Sequence, residues 1–169
     1  MRDVRVCSWS VRIETRLQEF GLVLPEPTRA PSGVRLPFAP VRVRGRRALI
    51  AGHGPLNPDG TVAGPFGKVP SEVSVDQAYA SARLVCLAML GSLKRAIGDL
   101  DRVTAWLRVF GMVNSDPDFT LQPNVINGCS DLLLDLFGPE LGQHARSAVG
   151  LMALPFGIPV EIEAEVEFE

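Results

Sequence analysis

"HARSAVGLMALP", residues 144–155, runs directly into "FGIPVEIEAEVEFE", residues 156–169. In the second half the alternation is strict. Val160, Ile162, Ala164, Val166 and Phe168 fall on one side of an extended chain, and Glu161, Glu163, Glu165 and Glu167 on the other, because side chains two apart share a strand face. From Ala145 to Leu154 the residues are small or apolar apart from Arg146 and Ser147, which predicts a buried strand with one cation at its mouth. A guanidinium there is costly unless paired. One partner is Glu161 or Glu163, should the loop "LPFGIP" (154–159) return the last strand beside the one bearing Arg146. The other is a ligand carboxylate, which matches the flat fork of arginine donors.

Upstream, Val75, Ala78, Tyr79, Ala82, Val85, Cys86, Met89, Leu90, Leu93 and Ile97 recur at three and four residues, the period of one helix face. Ser74 with Gln77 forms a capping box and Gly98 a stop. A second helix is expected from near Pro123 through Val125, Cys129, Leu132, Leu133 and Leu136 to Gly138 and Pro139. Between the helices, "RVTAWLRVFGMV" (102–113) is rich in branched and aromatic residues and reads as a buried strand, apolar on both faces. "FAPVRVRG" and "RRALIAG" flank a hairpin turn at Gly45, with the arginines of 41–47 on its exposed side, and "NPDG" (57–60) is a further turn.

The order strand, strand, helix, strand, helix, strand, strand predicts an α+β fold: a mixed sheet with both helices packed on one face. The other face then lacks cover, and association into an oligomer would supply it. Residues 11–20 are expected to form a short helix with Ile13, Leu17 and Phe20 on one side. "PEPTRAPSGVRLPFAP" (25–40) is extended linker. The core is therefore expected to begin near Leu36, dividing the chain into an extension, 1–35, and a domain, 36–169.

The chain of 169 residues is 46% apolar with a formal net charge of -2, enough for one domain with its own core. That balance supplies no basic face for nucleic acid. Cys7, Cys86 and Cys129 are odd in number and far apart, without metal-ligand spacing, which points to a reducing cytoplasm and no metal site. No run of 18 apolar residues predicts a membrane span.

As a set the four glutamates read as a solvated edge, with Glu161 set apart by the preceding loop, where it could hold or activate a water. His53 and His144 read as hydrogen-bonding residues rather than bases. Ser147 lacks a nucleophile elbow, and "GPFGKVP" (64–70) is a turn rather than a phosphate loop.

Taken together, "IAGHGP", "GDLDRV", "SDPDF", "INGCSDLL", "ARSAVG", "LP" and "VEIEA" resemble, in residues and in order, the RidA/YjgF family over about 36–169. The "QPNVINGCSDLLLDLFG" helix and the N-terminal extension are similar to the longer members. The resemblance implies a chorismate-mutase-like (RidA-like) fold assembled as a homotrimeric barrel with pockets between subunits. It also implies deamination of reactive enamines and imines, as in 2-iminobutanoate/2-iminopropanoate deaminases, without metal or organic cofactor. In that likeness Arg146 grips the substrate carboxylate of a small metabolite and Glu161 attends the attacking water, with Ser147 and Gly52 in the pocket. Phe38 stands where the family has a tyrosine, Ala51 where it has a serine, His53 where it has a glutamine, and Ala148 where it has a cysteine. Asn124 and Asn127 are nearest its pocket asparagine. The pocket is expected to be more apolar than usual. Two other functions fit the resemblance, a binding or regulatory trimer without turnover and an L-PSP-type endoribonuclease, and the acidic balance disfavours the second.

Overall fold

A computed structural model describes residues 13–30 and 32–169. Cys7 and the first two residues of the helix expected at 11–20 lie outside that range. The elements are α1 (Ile13–Glu19), β1 (Val41–Arg44), β2 (Arg47–His53), α2 (Val75–Ile97), β3 (Val103–Asn114), α3 (Gln122–Gly142), β4 (Ala145–Leu151) and β5 (Val160–Phe168).

The long helices form as their sequence dictates. The Ser74 side chain accepts from the backbone N–H of Gln77, whose own side chain accepts from the Ser74 N–H, and α2 ends at Gly98 with φ 90°. Each bond removes an orphan donor at the helix start. Pro123 sits in the first turn of α3, and the helix breaks at Gly138 (φ 74°), just before Pro139. Glycine tolerates that left-handed φ, and proline cannot donate to the turn before it. Both helices cover one face of the sheet. Cys86 and Cys129 meet, fully buried, where α2 and α3 touch.

The five strands run in the order β1-β2-β5-β3-β4, with β3 and β4 parallel and the other neighbours antiparallel. Val160, Ile162, Ala164, Val166 and Phe168 are buried against the helices, as the alternation requires. Trp106 lies in the same layer, edge-on to Phe137 at 5.6 Å between ring centroids, a geometry worth about 1 kcal/mol beyond area burial.

Four expectations change. β5 is no edge, because it sits between β2 and β3, and its glutamates project from the helix-free face in the middle of the sheet. β4 is an edge strand, as is β1, and is partly exposed rather than buried. The last strand does not return beside Arg146, since β3 intervenes. The core does not begin near Leu36, which is 42% exposed. Ile13 and Leu17, at 1% and 4%, are already part of it, although Phe20 is exposed. An isolated seven-residue helix is unstable in water, so α1 owes its existence to that packing.

The helix-free face mixes apolar and charged groups. Leu49 is 50% exposed. Arg47 pairs with Glu165 at 3.0 Å and Arg108 with Glu163 at 3.5 Å, exposed contacts worth little in stability. No helix among the described residues is long and apolar enough to cross a membrane.

Candidate functional site

Arg146 pairs in register with Val109 of β3, which pairs with Ala164 of β5, so all three side chains leave the sheet on the helix side. One guanidinium nitrogen of Arg146, Nη1, donates to Oδ1 of Asn127 at 2.8 Å and to Oγ of Ser130 at 2.9 Å. Nη2 reaches the Pro123 carbonyl at 3.5 Å. Asn127 and Ser130 are three apart on α3 and therefore share a face.

Behind them, Nδ1 of His144 lies 2.7 Å from the Gly142 carbonyl, and Nε2 lies 3.0 Å from Oγ of Ser130. A carbonyl only accepts, so Nδ1 carries the proton and Nε2 accepts from the serine hydroxyl. Burial lowers the His144 imidazole below its ordinary value, opposed by the Gly142 bond and assisted by Arg146. The neutral imidazole, the serine and the asparagine together fix the guanidinium. Among the described residues no carboxylate lies within ion-pair distance of Arg146, and its Nε–H has no protein partner.

A cavity of about 350 Å³ lies elsewhere on the chain and brings together Phe38, Gly52, His53 and Glu161. β2 bulges between Ile50 and His53 opposite β5, and bulges re-aim side chains next to sites. The bulge places Gly52 against Glu161 so closely that a Cβ on Gly52 would overlap the Glu161 carboxylate oxygen Oε1. Burial first, and the neighbouring Glu163 second, raise the Glu161 carboxyl above its ordinary range. That moves it toward the range in which a carboxylate serves as a base near neutral pH.

His53 lines this cavity, yet both its ring nitrogens are engaged. Nδ1 donates to the Ala51 carbonyl at 2.6 Å, and Nε2 accepts from Ser92 Oγ at 2.9 Å, while Arg95 donates to the same hydroxyl at 3.2 Å. Burial lowers its pKa, opposed by the Ala51 bond and assisted by Arg95. His53 thus ties β2 to α2 as a neutral ring. The same carbonyl–histidine–serine–arginine chain occurs at Arg146, in both cases with the carbonyl two residues before the histidine.

The remaining candidates separate. Ala51 lines a hollow on the helix-free face with Arg108 and Glu163. Ser147 is exposed on that face, Ala148 packs against the core, and Asn124 is exposed one turn before Asn127. The asparagine in contact with Arg146 is Asn127. Ser130 was missed by reading the sequence, although its place three residues after Asn127, like that of His144 two residues before Arg146, put each on the right face. Glu161 itself pairs with Met112 on the helix-free side, so a single chain does not unite Arg146 with the cavity.

Three comparisons bear on this arrangement. The model of a family described as "YjgF/chorismate_mutase-like, putative endoribonuclease" matches residues 14–158. The Trypanosoma cruzi protein called "Protein TCP17" is 38% identical over 158 residues, covering 94% of this chain and 95% of that protein. A solved structure from Agrobacterium tumefaciens, described as of unknown function, superposes with a TM-score of 0.82 at 36% identity, over 94% of this chain and 93% of that one. The YjgF gene product of E. coli shares the fold, with a TM-score of 0.56 at 19% identity over 86% and 97% of the two chains.

Proposed function

Because the chain belongs to the YjgF/chorismate-mutase-like family, we propose that it hydrolyses reactive enamines and imines of 2-amino acids to 2-keto acids and ammonia, in pockets shared between identical copies. The observation that carries this reading is Arg146: a guanidinium locked by Asn127 and Ser130, with a free donor and no carboxylate in reach among the described residues. A site so built suits the acid group of a bound ligand. The Glu161 cavity needs a cation to hold a substrate carboxylate, and among its described lining residues it has none. Each half supplies what the other lacks.

In this reading three copies close their sheets into a barrel and Arg146 of one copy faces the cavity of the next. The exposed edge strand β4, with Met152 at 85% exposure beyond it, and Leu49 on the open face provide surface to bury. Residues 36–169 carry Arg146 and Glu161, and 13–30 pack against them, with Pro27 and Thr28 adding to the cavity wall.

The chemistry is light. An enamine gains a proton at its β-carbon and becomes an iminium, whose C2 is already electrophilic. Water adds to C2 as Glu161 takes one of its protons, and the C=N π pair moves to nitrogen. Glu161 returns that proton to the amino group, the C–N bond breaks, and the remaining hydroxyl proton is lost as C=O forms. Ammonia leaves with a 2-keto acid. Fixing the carboxylate through Arg146 and the water through Glu161 lowers the barrier by orientation and proton transfer.

The test is to generate 2-aminoacrylate enzymatically and follow pyruvate release with and without the protein. Acceleration over buffer that Arg146→Ala abolishes supports the reading. No acceleration with this enamine or with the imines of larger amino acids, or equal acceleration by the variant, removes it. Binding of 2-keto acids without turnover would leave a binding protein in its place.

A further inference from the structure

We infer that the Glu161 cavity selects substrates with a branched or aromatic side chain rather than three- or four-carbon imino acids. This assignment of substrate class rests on the hydrolase reading above.

The walls decide it. Leu36, Phe38, Leu56, Val62, Phe156 and Ile158 line it together with three prolines. Three of them keep large apolar area open to water, Leu36 at 42%, Phe38 at 54% and Phe156 at 49%. Exposed apolar groups gathered around one concavity mark a binding surface, whereas scattered ones do not. The polar side chains of the lining are Thr28, His53 and Glu161, and both His53 nitrogens are already engaged. Glu161 therefore stands at the reacting end of a cavity whose other walls offer little to a polar substituent.

Size points the same way. An apolar cavity of about 150 Å³ takes up a benzene molecule, and this one is about 350 Å³. A methyl or ethyl side chain would leave most of these walls wet. An isobutyl or benzyl group would cover them, and each added methylene buried in a fitted pocket is worth roughly tenfold or more in discrimination. The ring of Phe38, without a hydroxyl, and the ring of Phe156 flank that volume.

The experiment has two arms. In the first, imines are formed in situ from L-alanine, L-2-aminobutyrate, L-leucine and L-phenylalanine with an L-amino-acid oxidase, and their decay is timed by semicarbazide trapping. We expect kcat/KM at least about tenfold higher for the leucine and phenylalanine imines, with Val62→Phe, which narrows the cavity, collapsing that ratio. Equal or better turnover of the alanine imine overturns the inference and leaves the hydrolase reading standing. In the second arm, calorimetry measures the Kd of pyruvate, 4-methyl-2-oxopentanoate and phenylpyruvate for the wild-type protein. If no imine is hydrolysed but the two larger keto acids bind at least about tenfold tighter, the hydrolase reading falls and the pocket's selectivity stands. If pyruvate binds as tightly as they do, the selectivity falls.

Discussion

Arg146 and Glu161 occupy opposite faces of one sheet: Arg146 is in register with Val109 on the helix side, and Glu161 with Met112 on the bare side, with β3 between their strands. The sheet itself separates the two within a copy. In the proposed site, a carboxylate held by one and a water held by the other meet across a seam between copies.

The Arg146 half makes the first prediction. Truncating a hydrogen-bonded charge costs at least about 2 kcal/mol, so Arg146→Ala should lower kcat/KM by at least about 30-fold, through kcat as well as KM. Ser130→Ala removes one bond of about 1 kcal/mol and frees the guanidinium, so KM should rise about fivefold with a smaller change in kcat. Steady-state kinetics on any accepted imine check both. An unchanged KM in Ser130→Ala would show that the serine does not position the arginine.

Gly52→Ala should separate catalysis from folding. The φ of Gly52 is not in the left-handed region, and the atom a Cβ would meet is the far end of the Glu161 side chain. The carboxylate can swing away at little cost to the fold but leaves its place beside the cavity. Activity should fall by about 100-fold or more, the usual worth of a general base, while the thermal midpoint moves little. Retained activity would show that Glu161 is not held there for catalysis.

What was legible in the sequence followed from periodicity. The α2 capping box, the Gly45 hairpin and the β5 alternation are local patterns and appear as read. Strand order is not local. That β3 lies between β4 and β5 depends on how the loops after Gly142 and Leu151 cross the sheet, so the expected nearness of Arg146 to Glu161 was not recoverable from spacing. α1 was underrated because a seven-residue helix has no stability of its own, and its burial is fixed by residues far along the chain. Asp101, for example, accepts from the Ile13 N–H at 2.7 Å.

Glu161 should also set the pH profile. Its carboxyl is raised, mainly by burial, and the ionised form is the base. kcat/KM should therefore climb with pH and level off above an apparent pKa higher than an ordinary glutamate's. Glu163→Gln removes the second cause of the shift and should move that limb to lower pH. Stability runs the other way: between the unfolded and the raised folded pKa the native state holds more protons, so stability declines as pH rises. Glu161→Gln should thus be inactive yet slightly more stable at neutral pH. A profile insensitive to Glu163→Gln would separate the limb from Glu161.

The two histidines impose the opposite slope at somewhat higher pH. Burial lowers both below the ordinary imidazole value, about 6.5. The unfolded chain then binds more protons below that pH, and stability present above it is lost as pH falls toward the folded pKa values. Urea midpoints should drop on acidification from pH 7.5 to 5, with a shallower drop in His53→Gln. Identical slopes in the wild type and the variant would show that His53 is not the group being protonated.

The most direct test of the shared site is to mix two inactive proteins, Arg146→Ala and Glu161→Gln, by co-expression or by co-refolding in equal amounts. In a ring where each pocket takes its arginine from one copy and its glutamate from the next, about a quarter of the pockets recover both native residues, and about that fraction of wild-type activity should return. Mixed oligomers that stay as inactive as their parents would contradict a site divided between copies.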